Sequence, residues 1–403
     1  MLPLRHLRTV NAVAAGGGVR ASSETLLRAA SAVSRSIALL EQASALPLFE
    51  RKGRGMVPTA AGALLQRRYA AIAAELSAVE AEAAAAASRS DPLPATAIDV
   101  LFDERRLMAA SLLADLNHMP TVARRLGVTQ PAVSAAVARL EGALRQKLFL
   151  RTARGLLPTD LGARWVLRFD RALAELRYLQ DDLAALRGQV QGVVSVGALP
   201  MARTRLLPRA IAAVRASHAQ LRIHSIESPY EQLCADLLRG RIDFIIGALR
   251  PLVDEALRNE SLFVEDLGII AAASHPLQRK RRLSLADVRG ESWVLSRPGT
   301  PLRADLDAYF ARHGEPAPVP AVETGDLAMV RGMLLDGGMV TVLSTHQLRY
   351  ELEAGQVRVL PIALDGLRRE IGITTRRGAQ LPPGAEALLG EIRTLVQDQR
   401  GGL

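Results

Sequence analysis

The sequence holds a single cysteine, Cys234, among 403 residues. An intrachain disulfide is therefore excluded, and one thiol with seven scattered histidines does not supply a zinc site of the usual spacing. Long apolar runs are also missing. Stretches such as Phe244 to Leu249 and Leu267 to Ala273 fall far short of the roughly 20 residues a membrane span needs, so no membrane partner is expected. The start, Met1-Leu2-Pro3-Leu4-Arg5-His6, lacks the basic-then-apolar plan of a secretory signal, and a cytoplasmic location is expected. Catalytic motifs are absent as well: there is no Gly-x-Ser-x-Gly elbow and no P-loop, and Gly16-Gly17-Gly18 has no strand before it to make a phosphate cradle. Neither an enzyme nor a resident cofactor or metal is expected.

What is present points elsewhere. The length predicts two to four domains, and an apolar share of 49% is ample for their cores. The net charge of +10 is unevenly placed: residues 1–187 hold 25 Lys and Arg against 17 Asp and Glu, and the remainder 26 against 24. A basic surplus at one end suits a polyanion, either nucleic acid or an anionic membrane.

Sliding the sequence against itself by one hundred residues reveals a repeat. Ala32-Val33-Ser34 recurs as Ala132-Val133-Ser134, Leu40-Glu41 as Leu140-Glu141, and Leu48-Phe49 as Leu148-Phe149. Arg51, Arg54-Gly55, Pro58-Thr59 and Gly62 recur as Arg151, Arg154-Gly155, Pro158-Thr159 and Gly162. Each copy runs into an Ala- and Leu-rich helical stretch, and Arg89-Ser90-Asp91-Pro92-Leu93-Pro94 separates the copies as a linker.

The second copy is the clearer. Thr121 to Leu126 reads as a short helix ended by Gly127, which takes the left-handed conformation of a tight turn. Thr129 then caps a second helix with Pro131 in its first turn, and Val133, Val137, Leu140 and Leu144 form its buried stripe. Gln130 and Ser134 remain on the open face, where Gln can pair with an adenine edge and Ser with phosphate or bases. The segment from Lys147 to Leu157 reads as two strands around a basic turn, with Arg151 and Arg154 able to meet phosphates or the minor groove.

These residues, Gly127 to Ser134, Leu140-Glu141, Leu148-Phe149-Leu150-Arg151 and Pro158 to Gly162, resemble the signature of the LysR-type transcriptional regulators. The resemblance covers the chain from about Asp103 to the C-terminus. It implies a winged helix-turn-helix, a long dimerisation helix and an effector-binding domain. Leu4 to Ala87 is an additional copy, altered at its tip: Ala29-Ala30-Ser31 replace Thr129-Gln130-Pro131, while Ser34 is kept and Arg35 stands where the second copy has Ala135. Two readings of the first unit stay open. It contacts DNA through Ser34, Arg35, Arg51, Lys52 and Arg54, or it has become a packing module. The two Ala-rich helices pair either within one chain or between subunits, and the sequence does not choose.

From Gly192 onward short Val- and Ile-rich runs alternate with helical ones, an α/β pattern whose ligands sit at the carboxyl ends of strands. The strands are expected at Gly192 to Ala198, Leu221 to Glu227, Asp243 to Ala248 and, in a second lobe, Trp293 to Leu295, Val319 to Glu323 and Met339 to Leu343. Val357 to Pro361 and Glu370 to Thr375 are expected to complete the first lobe. The positions after these strands nominate Pro200, Met201, Ser228, Leu249, Ser296, Arg297, Thr300 and Ser344 as effector contacts, with Arg297 suited to a carboxylate.

The expected architecture is multidomain. Two helix-rich winged helix-turn-helix domains (1–62 and 103–162) carry linker helices (63–88 and 163–187), and a two-lobed α/β domain of the periplasmic-binding-protein-like (type 2) kind follows (192–403). The expected function is that of a nucleoid-associated, sequence-specific regulator of transcription controlled by an organic acid or aromatic metabolite. Its expected partners are double-stranded promoter DNA, the effector, further copies of the chain as a dimer or tetramer, and RNA polymerase. A periplasmic solute-binding protein and a DNA-organising protein without ligand control are the competing readings.

Overall fold

Prolines and glycines punctuate the N-terminal half, and helices fill the intervals between them. The computed structural model describes residues 2–52, 55–87, 92–94 and 96–401. Arg54 and the linker residues Arg89, Ser90 and Asp91 lie outside the described residues. The first unit comprises α1 (Leu4–Gly16), α2 (Val19–Thr25), α3 (Ala30–Ser44), a hairpin of β1 (Phe49–Lys52) and β2 (Gly55–Pro58), and the long α4 (Ala60–Ala86). After a short α5 (Ala97–Leu101), the second unit follows the same order: α6 (Glu104–Leu116), α7 (Met119–Leu126), α8 (Gln130–Leu144), β3 (Phe149–Thr152), β4 (Gly155–Pro158) and the long α9 (Asp160–Ala185).

The recurring residues have recurring tasks. Glu41 and Glu141 each accept a hydrogen bond from the backbone N–H that leads into the hairpin, Leu48 at 2.8 Å and Leu148 at 3.0 Å. Thr59 and Thr159 cap the long helices through the N–H groups of Gly62 and Gly162, at 3.2 and 2.9 Å. Those glycines are required for close approach: a Cβ at either would lie 2.2 or 2.1 Å from the carbonyl oxygen of Leu48 or Leu148. Each hairpin is thereby pinned against the start of its own long helix.

In this single-chain structure the long helices α4 and α9 pair antiparallel with each other. Leu65, Ile72, Leu76, Val79 and Ala83 of α4 and Trp165, Phe169, Ala172, Leu176, Leu179 and Leu183 of α9 are all buried. Their spacing, in steps of three, four or seven residues, makes one stripe on each helix. Arg68 is buried in the seam, with Nη1 2.7 Å from Glu175, Nε 2.6 Å from Asp182, and Nη1 donating also to the Gln380 carbonyl at 2.7 Å. Burial alone would lower its pKa, but the hydrogen bond to Asp182 and the charges of Glu175 and Asp182 raise it, so the guanidinium stays charged. The seam continues with Arg168 between Glu75 and Glu82, at 3.2 and 3.1 Å, and with Trp165 Nε1 donating to Glu82 at 2.9 Å.

The C-terminal half is built on β5 (Gly192–Ala198), α10 (Pro200–Thr204), α11 (Leu206–Ser217), β6 (Leu221–Ile226), α12 (Tyr230–Leu238), β7 (Phe244–Ala248) and β8 (Leu257–Ala272). Then come β9 (Trp293–Leu295), α13 (Pro301–Arg312), β10 (Pro320–Glu323), α14 (Leu327–Leu335), β11 (Val340–Ser344), α15 (Arg349–Glu353), β12 (Val357–Val359), β13 (Arg368–Arg376) and α16 (Pro383–Gly401). The strand order is β6-β5-β7-β13-β8-β11-β9-β10, with β12 also on β8. The long β8 joins two lobes: Leu257 to Asp266 pair with β13 in the first, and Leu267 to Ala271 pair with β11 in the second. One expectation needs correction. Val357 to Pro361 does not complete the first lobe; β12 lies antiparallel to Ile270–Ala272 of β8 and belongs to the second. The reason is that β11 fills only one edge of that half of β8, and the chain leaving the second lobe takes the other edge before β13 returns.

Removal of Arg68 leaves two buried carboxylates of α9 without their counter-charge, so Arg68→Ala should weaken the seam by about 3 to 5 kcal/mol. Arg168→Ala, at a pair whose guanidinium is 30% exposed, should weaken it by about 1 kcal/mol or less. Amide hydrogen exchange of α4 and α9 reads both; equal effects would contradict the assignment of Arg68 as the buried anchor.

Candidate nucleic-acid interface and ligand cleft

In the second unit α7 ends on Gly127, whose φ of 66° makes the sharp turn, and the Thr129 side chain accepts from the Ala132 N–H at 3.4 Å to begin α8. Val133, Val137, Leu140 and Leu144 seat α8 in the core. That leaves Thr129, Gln130, Pro131 and Ser134 exposed on its first turns. The β3–β4 hairpin is fixed from below by the Leu156 N–H donating to the Asn117 carbonyl at 3.0 Å. Its tip is shaped by Thr152, which donates to the Gly155 carbonyl at 3.0 Å and accepts from the Arg154 N–H at 3.1 Å. Arg151 and Arg154 are exposed there. An uncluttered helix N-terminus beside a basic hairpin is an arrangement able to enter a groove and hold the flanking phosphates.

The first unit repeats the frame with other chemistry. Ala29 gives α3 no side-chain cap. Ser34 and Arg35 are exposed on α3, with Arg51 and Lys52 exposed on the hairpin. At the turn between α2 and α3, Leu27 occupies the place that Gly127 holds in the second unit, at φ 50° and 94% exposed.

In the C-terminal half a cavity of about 430 Å³ opens between the lobes. Pro200, Met201 and Leu249 reach it from the first lobe, and Ser296 and Thr300 from the second. Ser228, Arg297 and Ser344 do not line it. Arg297 is exposed to solvent, and Ser344 is fully buried with its hydroxyl on Glu265 at 2.5 Å. Position after a strand marks the end of the strand but not the direction of the side chain, which is why these three fell outside. Sequence reasoning missed Thr324, Gln347 and the β13 residues Arg368, Arg369 and Glu370, which also line the cavity; β13 looked like a strand returning to one lobe, and its register along β8 is what carries its start to the mouth of the cleft. Thr300 at the start of α13 donates to the Arg297 carbonyl at 2.9 Å, its hydroxyl lies 3.0 Å from that of Ser296, and its side chain does not cap the helix. Among the described residues, no side chain caps the first-turn N–H groups of α13 beside the cavity.

The two halves are tied together. Tyr178 of α9 donates to Asp243 at 2.5 Å, and Asp243 also accepts from the Ser195 N–H at 2.8 Å. Burial, and then the Asp243 carboxylate, pushes the Tyr178 phenol up, so it remains a donor. Arg171 and Arg177 of α9 hold the carbonyls of Leu238 and Gly240 at 2.6 and 3.0 Å, and Arg241 reaches Asp115 at 2.8 Å and Asp170 at 2.9 Å.

A helix-turn-helix joined by a long helix to a two-lobed domain with a cleft defines a ligand-responsive DNA-binding regulator of transcription. The model for the bacterial regulatory helix-turn-helix protein of the LysR family matches twice, at residues 4–63 and 105–163, and the LysR substrate binding domain matches residues 187–397. The chain belongs to the LysR family. It is 43% identical over 402 residues to the HTH-type transcriptional regulator GalR of Pseudomonas putida, a match spanning 98% of both chains. Its fold is similar to that of full-length OxyR from Pseudomonas aeruginosa, in a single-residue variant, with a TM-score of 0.55 and 23% identity over 72% of this chain and 94% of that one. It is also similar to full-length CbnR complexed with its target DNA, with a TM-score of 0.51 and 21% identity over 73% of this chain and 100% of that one. The relatives are transcription regulators rather than enzymes. Among the described residues no helix is long and apolar enough to cross a membrane, and no group of His, Cys, Asp and Glu is placed to hold a metal ion.

Relief of the left-handed strain at the α2–α3 turn should outweigh the added freedom of the unfolded chain, so Leu27→Gly should stabilise the first unit by roughly 0.5 to 1 kcal/mol. Gly127→Leu should do the reverse to the second. Thermal melting of the two full-length variants checks the pair; a loss on Leu27→Gly would contradict the reading of that turn.

Proposed function

We propose that this LysR-family chain regulates transcription by reading promoter DNA with two winged helix-turn-helix units in tandem, under control of a small organic acid bound between the lobes of its periplasmic-binding-protein-like domain. The observation that carries the reading is the exposed polar tip of α8, with Gln130 and Ser134 held open by a buried stripe on the opposite face. Thr129 and Pro131 set the start of that helix. Gln130 then supplies a bidentate amide for an adenine edge, and Ser134, Arg151 and Arg154 supply base and phosphate contacts. The first unit adds Ser34, Arg35, Arg51, Lys52 and Arg54, a set richer in cations than in base-reading amides.

The effector reading rests on the composition of the cleft. Leu199, Leu249 and Leu302 give it apolar walls, Ser296 and Thr300 bring hydroxyls, and the uncapped start of α13 favours an anion. A carboxylate attached to an aromatic or aliphatic body suits both features. Closure of the lobes around it changes how the first lobe bears on α9, and with it the placing of the readers; the change can be no larger than the ligand's differential affinity for the two arrangements. A cytoplasmic location, contact with RNA polymerase at the promoter, and assembly into a dimer or tetramer complete the proposal.

Two measurements test it. In binding to a duplex selected from random sequence by the full-length protein, Gln130→Ala should weaken the preferred site by about tenfold or more, and Arg51→Ala with Lys52→Ala should make the slope of log affinity against log salt shallower by roughly 2. No sequence preference at moderate salt would contradict the regulatory reading. For the sensor, a panel of small aromatic and aliphatic carboxylates should contain members that raise the melting temperature of the full chain, and Thr300→Val with Ser296→Ala should abolish the rise. A rise that survives those substitutions would place the ligand elsewhere.

A further inference from the structure

The hundred-residue shift relates not only the two N-terminal units but also the contacts between them. Arg68 pairs with Glu175 and Asp182; Arg168, its counterpart, pairs with Glu75 and Glu82, which are the counterparts of those two acids. The last carbonyl of α3, on Ser44, accepts from Arg187 just beyond α9, and the last carbonyl of α4, on Ala86, accepts from Gln146 just beyond α8 at 3.5 Å. Leu4 and Glu104, equivalent under the shift, touch each other, with the Leu4 N–H donating to Glu104 Oε2 at 3.1 Å. A contact set that maps onto itself when the two partners are exchanged is the signature of a two-fold, isologous interface. Here the two partners are parts of one chain.

The apolar stripes of both long helices are consumed by this pairing. Every apolar stripe residue named above, from Leu65 to Ala83 and from Trp165 to Leu183, is at most 3% exposed, which leaves no stripe for a linker helix of a second copy. The two outward faces of the reader helices stay open, and they are unequal. On α8 the exposed positions include Gln130, Ala135 and Arg139; on α3 the corresponding positions are Ala30, Arg35 and Leu39. The sensor adds to the inequality. It docks on Asp170, Arg171, Arg177 and Tyr178 of α9, and the counterparts on α4 are Ala70, Ala71, Ser77 and Ala78, which offer none of those groups.

We infer that a single chain is a complete two-headed reader, in which α3 and α8 take the two halves of one non-palindromic DNA site. A duplex presents its grooves with two-fold symmetry, so a two-fold pair of helices can enter two successive half-sites. Unequal helices then demand unequal halves, and the chain binds in one orientation with its one sensor on the α8 side. The inference rests on the regulatory reading proposed above.

The test is selection of duplexes from a random-sequence library by the full-length protein and by two surface variants, Gln130→Ala and Arg35→Ala, followed by footprinting on the selected site. The expected result is a non-palindromic site with two protected stretches. Gln130→Ala relaxes base preference by about tenfold in one stretch only, and Arg35→Ala weakens protection in the other only. A palindromic site whose halves both respond to Gln130→Ala, a single protected stretch, or an Arg35→Ala variant that alters neither half overturns the inference while leaving sequence-specific regulation intact. Failure to enrich any sequence overturns the regulatory reading itself, and the inference with it.

Discussion

A guanidinium withdrawn from water between two carboxylates of the opposite helix holds the N-terminal half together. Arg68 cannot leave Glu175 and Asp182 without stranding charge in an apolar seam, and its third donor bond, to the Gln380 carbonyl, brings in the loop that precedes α16 of the sensor. The same side chain therefore reports on both joints of the molecule, between the linker helices and between linker and sensor. The apolar stripe around it supplies the larger part of the burial; the ion pairs set which residue faces which, since a slip along either helix would separate Arg68 from both acids and Arg168 from Glu75 and Glu82 together.

That seam gives the sensor something rigid to push against. The first lobe grips α9 through buried or half-buried polar bonds, of which Tyr178 to Asp243 is the deepest. The same lobe contributes Pro200, Met201 and Leu249 to the cleft, while Ser296 and Thr300 come from the second lobe. Under the proposed function, a ligand spanning the cleft would draw the second lobe toward a body already fixed to the linker helices. The chain passes between the lobes twice, along the long strand β8 and again on the return from β12 to β13, and such a movement would bear on both passages.

Much of this was legible in the residues. Gly127, Thr129 and the stripe from Val133 to Leu144 announced a turn and a seated helix because each residue acts within its own few neighbours. The recurring Glu41 and Glu141, and Gly62 and Gly162, marked fixed geometry without saying what it was; the structure gives them as anchors of the hairpin and as points where backbone passes too close for a side chain. Long-range relations were less visible. The sequence held related helical stretches on α4 and α9 and so could not say whether they met each other or other copies. β12 went to the wrong lobe because a three-residue strand carries no mark of which edge it will fill. Arg369 escaped notice because its place at the cleft depends on a register set by β8, more than one hundred residues away.

The pairing of α4 with α9 inside one chain is the claim on which the rest stands, and a short bismaleimide tests it most directly. With cysteines placed by Glu75→Cys and Arg168→Cys, and the native Cys234 buried, the crosslinked full-length protein should run on a denaturing gel at the size of one chain. A product of twice that size as the main species would mean that the seam joins two chains, and would contradict the account.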